Sequence, residues 1–236
     1  MSGAFLRGGR RGGNAFGPTT RGPAPGKLRS LQLRWINTPG RAGHLAGMLA
    51  AAQAEGIDLR VFTPGSDGEW AGVLRKAAHP GLSGFGFSSH RLLPEHLEAV
   101  AGILEGSAVN AVKLGDDTRQ AYGLLKPLGE LLRSAGAGRL RELSLRTWQP
   151  GAAELVIESG ILAGLSRFKL AGRIPPPDYL VANLLPRARH LAGLELDPES
   201  QFGRPALDAL LRERLGGGQA GVVQGQYLGL PGEEGP

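Results

Sequence analysis

The sequence contains no cysteine, and no apolar run in it approaches the ~18 residues that a transmembrane helix needs. The absence of cysteine excludes disulfide scaffolds, cysteine-ligated zinc, iron–sulfur clusters and cysteine nucleophiles. Because an apolar secretory segment is also missing, we predict a soluble, cytoplasmic protein with no membrane partner, and we leave an organellar location open. Hydrophobic residues make up 41% of the 236 residues, which is enough for a sizeable core.

Acidic residues are absent from the N-terminal part of the chain, where the first is Glu55. Residues 1–27 are rich in Gly, Arg and Pro, and we interpret them as an extended basic leader. Its RGG-like steps alternate with Phe5 and Phe16, which is typical of segments that neutralise phosphates and stack on bases. A solvated, flexible leader is the alternative interpretation. The leader's candidate nucleic-acid-binding residues are Arg7, Arg10, Arg11, Arg21 and Lys27.

The rest of the chain repeats the pattern φxxφxφ, in which φ is an apolar residue. Six copies are regular, and a seventh, Gly56-x-x-Leu59-x-Val61, is degenerate. Each copy alternates like a strand and is followed by a segment with helical periodicity. The predicted unit is therefore strand, turn, helix, turn. The copies begin at residues 28, 56, 82, 109, 140, 165 and 191, and the predicted helices cover 43–54, 69–78, 94–104, 118–135, 152–163, 178–189 and 204–215.

Repeated strand–helix units predict parallel strands, which either close into a barrel or remain an open arc. The positions between the apolar ones decide in favour of the arc. They include Gln32, Lys113, Glu142, Arg146 and Lys169, and burying so many charges inside a barrel would be costly. We therefore expect one face of the sheet to be open to water and the helices to cover the other. A barrel enzyme is the disfavoured alternative.

With these copies in register, residues 28–215 resemble the leucine-rich repeat proteins, in particular the α/β horseshoe branch typified by ribonuclease inhibitor. The resemblance implies an α/β solenoid of about seven strand–helix units, with a concave parallel sheet and outer helices. It departs from the family at the position three residues after the last apolar strand residue, where Asn or Cys is usual. That position holds Ile36, Pro64, His90, Asp117, Trp148, Arg173 and Glu199. Residues 216–236 are interpreted as a Gly-rich cap or tail.

The resemblance implies a non-enzymatic scaffold or interaction module that binds another protein on its concave sheet. Neither a cofactor nor a metal site is expected, because the five histidines are scattered without a ligand motif. The alternative function is a structural component of a nucleic-acid-containing assembly, tethered through the leader. The candidate partner-binding residues on the sheet are Arg34, Arg60, Phe62, Lys113, Arg146, Arg167 and Lys169.

Overall fold

The computed structural model describes residues 5–7, 28–36, 42–62, 68–116, 123–188 and 190–198. Strands and helices alternate along most of this length. The strands are β1 (Phe5–Arg7), β2 (Ser30–Ile36), β3 (Gly56–Phe62), β4 (Gly84–Ser89), β5 (Ala111–Asp116), β6 (Glu142–Thr147), β7 (Arg167–Gly172) and β8 (Gly193–Pro198). The helices are α1 (Ala42–Ala52), α2 (Gly68–Arg75), α3 (Pro94–Gly106), α4 (Leu125–Arg133), α5 (Ala152–Glu158), α6 (Pro177–Tyr179) and α7 (Leu185–Ala188).

All the described strands belong to one sheet, in the order β1 to β8. Strands β2 to β8 are parallel, and each pairs with its neighbours in sequence. Since the order is linear and β8 does not pair with β1 or β2, the sheet is not a closed barrel. The prediction of an α/β fold with an open parallel sheet is confirmed, and the barrel alternative is wrong.

The two faces of the sheet differ in burial. Leu143 and Leu145 on β6 are 5% and 2% exposed, whereas Ser144 between them is half-buried and Lys113 on β5 is exposed. Apolar side chains of all seven parallel strands belong to a single core with those of the helices. Because alternate residues of a strand point to opposite faces, this burial confirms the predicted one-sided pattern on β6. On β4 the residues of both faces from Phe85 onwards are buried, and Gly115 and Ala171 are buried on the polar side of β5 and β7.

The helices form a second layer in which each of α1 to α4 packs beside the next helix. Their apolar stripes supply the other half of the core, and Trp70 on α2 is only 1% exposed. The helical segment predicted at 178–189 contains a π-turn at Leu180–Leu184 between α6 and α7. Pro186 lies just after this wide turn and has no amide hydrogen to donate to a regular helix. The predicted helix at 204–215 and the predicted tail at 216–236 lie outside the described residues.

The strand register corrects the alignment of the second repeat. Leu31 pairs with Ile57, and Leu33 pairs with Leu59, so the first position of the second copy is Ala54, which is fully buried, and not Gly56. The sequence alignment was therefore displaced by two residues. A two-residue shift keeps every side chain on the same face, because strands have a period of two, and the predicted faces were unaffected.

A repeated hydrogen-bond pattern marks the start of the strands. The carbonyl of Ser83 accepts two bonds, from the amides of Asn110 and Ala111, at 2.8 and 3.3 Å. The same double acceptance recurs one unit later, where the Asn110 carbonyl binds the amides of Arg141 and Glu142. Glu55, Arg141 and Ser166 provide equivalent carbonyls. This regularity pairs the backbone amides at the turns before β4 to β8, whereas before β3 the amides of Glu55 and Gly56 donate to two separate carbonyls, those of Leu28 and Arg29.

Side chains reinforce these turns by binding carbonyls of the preceding unit. The ring Nε2 of His79 lies 2.9 Å from the Ala54 carbonyl oxygen, and that of His190 lies 2.8 Å from the Leu162 carbonyl oxygen. Arg139 donates to two carbonyls at the end of α3, those of Leu104 and Ser107. A cation at a helix C-terminus also interacts favourably with the helix dipole.

Small polar side chains close the opposite turns, from strand to helix. The hydroxyl oxygen of Ser89 accepts a hydrogen bond from the amide nitrogen of Arg91 at 3.2 Å, and that of Thr147 accepts one from the amide nitrogen of Gln149 at 3.1 Å. Both residues are buried, and both stand two positions after the last apolar strand residue. The polar position is therefore one residue earlier than that of the Asn in the leucine-rich repeat pattern.

Strand β1 lies at the β2 edge of the sheet. It runs antiparallel to β2, with Phe5 opposite Arg34 and Arg7 opposite Gln32. Residues Phe5–Arg7 of the basic leader thus form a short strand that pairs its backbone with the edge strand β2. The edge groups that β1 covers are no longer available as a template for another strand.

Candidate functional site

The face of the sheet opposite the helices carries polar and small residues in three rows that cross the strands; we call it the polar face. An open groove of about 720 Å³ lies over the first and middle rows. In strand order, the first row is Ser30, Gly56, Gly84, Ala111, Glu142, Arg167 and Gly193; the middle row is Gln32, Asp58, Gly86, Lys113, Ser144, Lys169 and Glu195; the third row is Arg34, Arg60, Ser88, Gly115, Arg146, Ala171 and Asp197.

The groove is shallow and smooth over β3 to β5. Gly56, Gly84 and Ala111 are neighbours in the first row, and an added Cβ at Gly84 would meet nothing closer than 4.0 Å. At these three positions the backbone is half-buried and borders the groove directly. Such a floor allows the close approach of a partner's backbone or ring.

An ion pair crosses the smooth part of the groove. Lys113 Nζ on β5 lies 3.0 Å from Asp58 Oδ2 on β3, although β4 separates the two strands. Gly86 is the middle-row residue of β4, and a Cβ there would lie 2.7 Å from Asp58 Oδ1. The pair can form across β4 because Gly86 has no side chain.

Two further ion pairs lie over β6 to β8. Lys169 Nζ is 2.5 Å from Glu195 Oε1, and Arg167 Nη1 is 3.4 Å from Glu142 Oε1. The side chains in these pairs are 36% to 68% exposed. Exposed pairs of this kind typically contribute only about 0–1 kcal/mol to stability. They therefore fix the positions of these side chains on the polar face but add little to the free energy of unfolding.

The polar face brings together six of the seven predicted partner-binding residues. Arg34 and Arg60 are neighbours on β2 and β3, and the other four lie on β5 to β7. Phe62 is the last residue of β3, and its side chain lies outside the described residues. The six residues placed on the polar face are Arg34, Arg60, Lys113, Arg146, Arg167 and Lys169.

Sequence reasoning did not reveal which acids the predicted basic residues meet. It placed Glu142 on the open face without pairing it with Arg167, and it did not name Asp58, whose carboxylate lies beside Lys113. The signal was present in the repeats, because residues at equivalent positions of adjacent copies are cross-strand neighbours. Glu142 and Arg167 hold the same position in consecutive copies. The groove is therefore a mixed-charge surface.

No protein-family model matches this chain, and no curated protein is similar to it in sequence. The site must therefore be interpreted from its own chemistry. Among the described residues, no three His, Asp or Glu side chains are grouped so that they could hold a metal ion. In the same parts of the chain, no helix has the length and apolar character needed to cross a bilayer.

The structure places only one candidate residue of the basic leader. Arg7 ends β1, opposite Gln32 at the edge of the polar face. The remaining four candidates, Arg10, Arg11, Arg21 and Lys27, lie outside the described residues.

Proposed function

We propose that this protein is a leucine-rich-repeat-like, horseshoe-shaped module that is not an enzyme and binds another protein on its polar face. The observation that carries the proposal is the open groove, which extends across the parallel strands and contains residues from β2 to β8. Its charges are distributed over several strands rather than concentrated at one point. Such a surface suits recognition of an extended segment better than chemistry on a single bond.

The repeated architecture supports the horseshoe assignment. Neighbouring parallel strands are about 4.8 Å apart, whereas packed helices are about 8–10 Å apart. Because the helices cover one face only, this mismatch favours a sheet that curves with its open face inward. The recurring carbonyl pattern at the strand starts is what a stack of equivalent units would have.

A matched pair of variants tests the function. Ala111→Trp places a large ring in the smooth part of the groove, whereas Ala51→Trp places the same ring on the exposed surface of α1. Partners are cross-linked and captured from the native source with each variant and identified by mass spectrometry. We expect Ala111→Trp to abolish capture of a partner that the native chain and Ala51→Trp both retain. Equal capture by the two variants, with both correctly folded, would place the binding site elsewhere.

A second candidate function is attachment to a nucleic-acid-containing assembly through the leader. The observation that favours it is the pairing of β1 with β2, which brings residues Phe5–Arg7 of the leader to the edge of the sheet, with Phe5 opposite Arg34 and Arg7 opposite Gln32. Replacing Arg10, Arg11 and Arg21 with Gln retains β1 and removes positive charge. Binding to single-stranded nucleic acid should then weaken and depend less steeply on salt. An unchanged salt dependence would contradict this role.

A further inference from the structure

The centre of the middle row is a short polar gap between two lysines. Ser144 on β6 pairs in register with Lys113 on β5 and with Lys169 on β7. Neighbouring strands are about 4.8 Å apart, so the Cα atoms of both lysines lie close to Ser144. All three residues contribute to the groove.

Both ammonium groups nevertheless point away from Ser144. Lys113 bonds Asp58, two strands towards β2, and Lys169 bonds Glu195, one strand towards β8. The lysine side chains are 54% and 39% exposed. Exposed ion pairs are weak and contribute little to stability, so each lysine can exchange its carboxylate for another one with little effect on the fold.

We propose that the groove above Ser144 binds an acidic side chain of an extended partner segment. This side chain replaces Asp58 as the ion-pair partner of Lys113 and Glu195 as that of Lys169. This inference rests on the proposed function, because it identifies the chemistry of the protein partner in the same groove. Asp58 and Glu195 act as internal competitors for the lysines. Once released, they face the partner and are available to its basic side chains.

The strand spacing defines the charge pattern of that partner segment. Ser144 is three strands from Asp58 and two from Glu195, which corresponds to about 14 Å and 10 Å. An extended chain rises about 3.3 Å per residue. Because alternate residues of an extended chain point to opposite faces, only even spacings direct all three charges towards the groove. A segment that crosses the strands would therefore carry its acid four residues from one basic residue and two from another, and the length of the lysine side chain covers the remaining distance.

The same row of charges disfavours a nucleic acid in this position. A polynucleotide carries a negative charge on every nucleotide. If it followed the middle row, its phosphates would meet Asp58 and Glu195 on either side of the lysines. A peptide with one acid between two basic residues avoids this repulsion.

Two synthetic peptides test the inference by fluorescence anisotropy with the full chain. The acid-only peptide carries one central glutamate with neutral flanks, and the flanked peptide adds a lysine four residues before it and two after it. The native chain should bind the flanked peptide more tightly. The Lys113→Gln/Lys169→Gln double variant should bind the acid-only peptide about two- to thirtyfold more weakly, because its glutamate loses two cationic partners and faces two unpaired carboxylates.

Removing the internal competitors gives the decisive result. The Asp58→Asn/Glu195→Gln double variant should bind the acid-only peptide roughly two- to tenfold more tightly than the native chain does. In this variant the flanked peptide should lose its advantage, because its lysines have no carboxylates to meet. Lys126→Gln removes an exposed, ion-paired lysine from α4 and should leave both affinities unchanged.

The inference is overturned if Asp58→Asn/Glu195→Gln does not tighten acid-only binding, or if the lysine double variant binds the acid-only peptide as the native chain does. It is also overturned if an oligothymidylate of equal length binds more tightly than the flanked peptide through the same lysines. Its failure is distinguishable from that of the proposed function. Loss of partner capture in Ala111→Trp would still support binding in the groove, whereas unchanged capture would reject the groove whatever the peptides do.

Discussion

Two adjacent residues of β6 offer a direct test of how the sheet faces are used. Leu145 is 2% exposed and packs in the core, whereas Ser144 is half-buried on the polar face. Leu145→Ala removes three buried carbon groups, each contributing about 0.8 kcal/mol by transfer from water. The cavity left behind adds to this loss, and we expect the free energy of unfolding to fall by about 2–5 kcal/mol. Ser144→Ala should change it by less than about 0.5 kcal/mol.

Equilibrium unfolding in urea, followed by circular dichroism, measures both changes. If the slope of the transition is the same for the native chain and both variants, the shift in midpoint reports the loss of stability. A loss below about 1 kcal/mol for Leu145→Ala would refute the assignment of that face to the core. A loss for Ser144→Ala that equals the loss for Leu145→Ala would refute the exposure of the polar face.

Three further variants probe the turns and the helical layer. Arg139→Ala should lower the free energy of unfolding by about 1–2 kcal/mol in the same urea assay, because two carbonyls at the end of α3 lose their donor. Gly172→Ala should lower it by at least about 2 kcal/mol, because Gly172 has φ +91° and a Cβ there would overlap the Thr147 carbonyl. Burial, followed by the hydrogen bond to Glu158, raises the pKa of Tyr179 from 10.0 to about 12. Ultraviolet absorbance should therefore detect a phenol that titrates near pH 12, and Tyr179→Phe should remove this titration. The neutral phenol therefore stabilises the fold below pH 10, and this contribution is lost as the pH rises to about 12.

The fold was largely predictable because each unit repeats the same local rules. Apolar residues with a period of two identified six of the parallel strands with the correct alignment, and the polar residues between them excluded a closed barrel. The second copy was misaligned because Ala54 is a small residue at a position where the other copies have Leu or Val. Strand β1 was expected only as an extended segment. Its three residues are too few for a periodic signal.

The candidate site was predictable as a face but not as a set of contacts. The repeats placed Lys113, Arg167 and Lys169 on one surface without revealing which acids they meet. The pairing of Lys113 with Asp58 across β4 depends on the missing side chain of Gly86, which no charge pattern reports. This contact depends on residues of three adjacent repeats, Asp58, Gly86 and Lys113. A periodic pattern relates only residues within the same repeat.

The sequential pairing of the strands also determines how the molecule comes apart. Within the described residues every parallel strand is bonded only to the strands before and after it in sequence, so no distant segment locks the two edges together. Opening can begin at an edge and advance inward one layer at a time. Amide hydrogens of β8 would then exchange with solvent before those of β5, and a force applied to that edge would peel the sheet in steps.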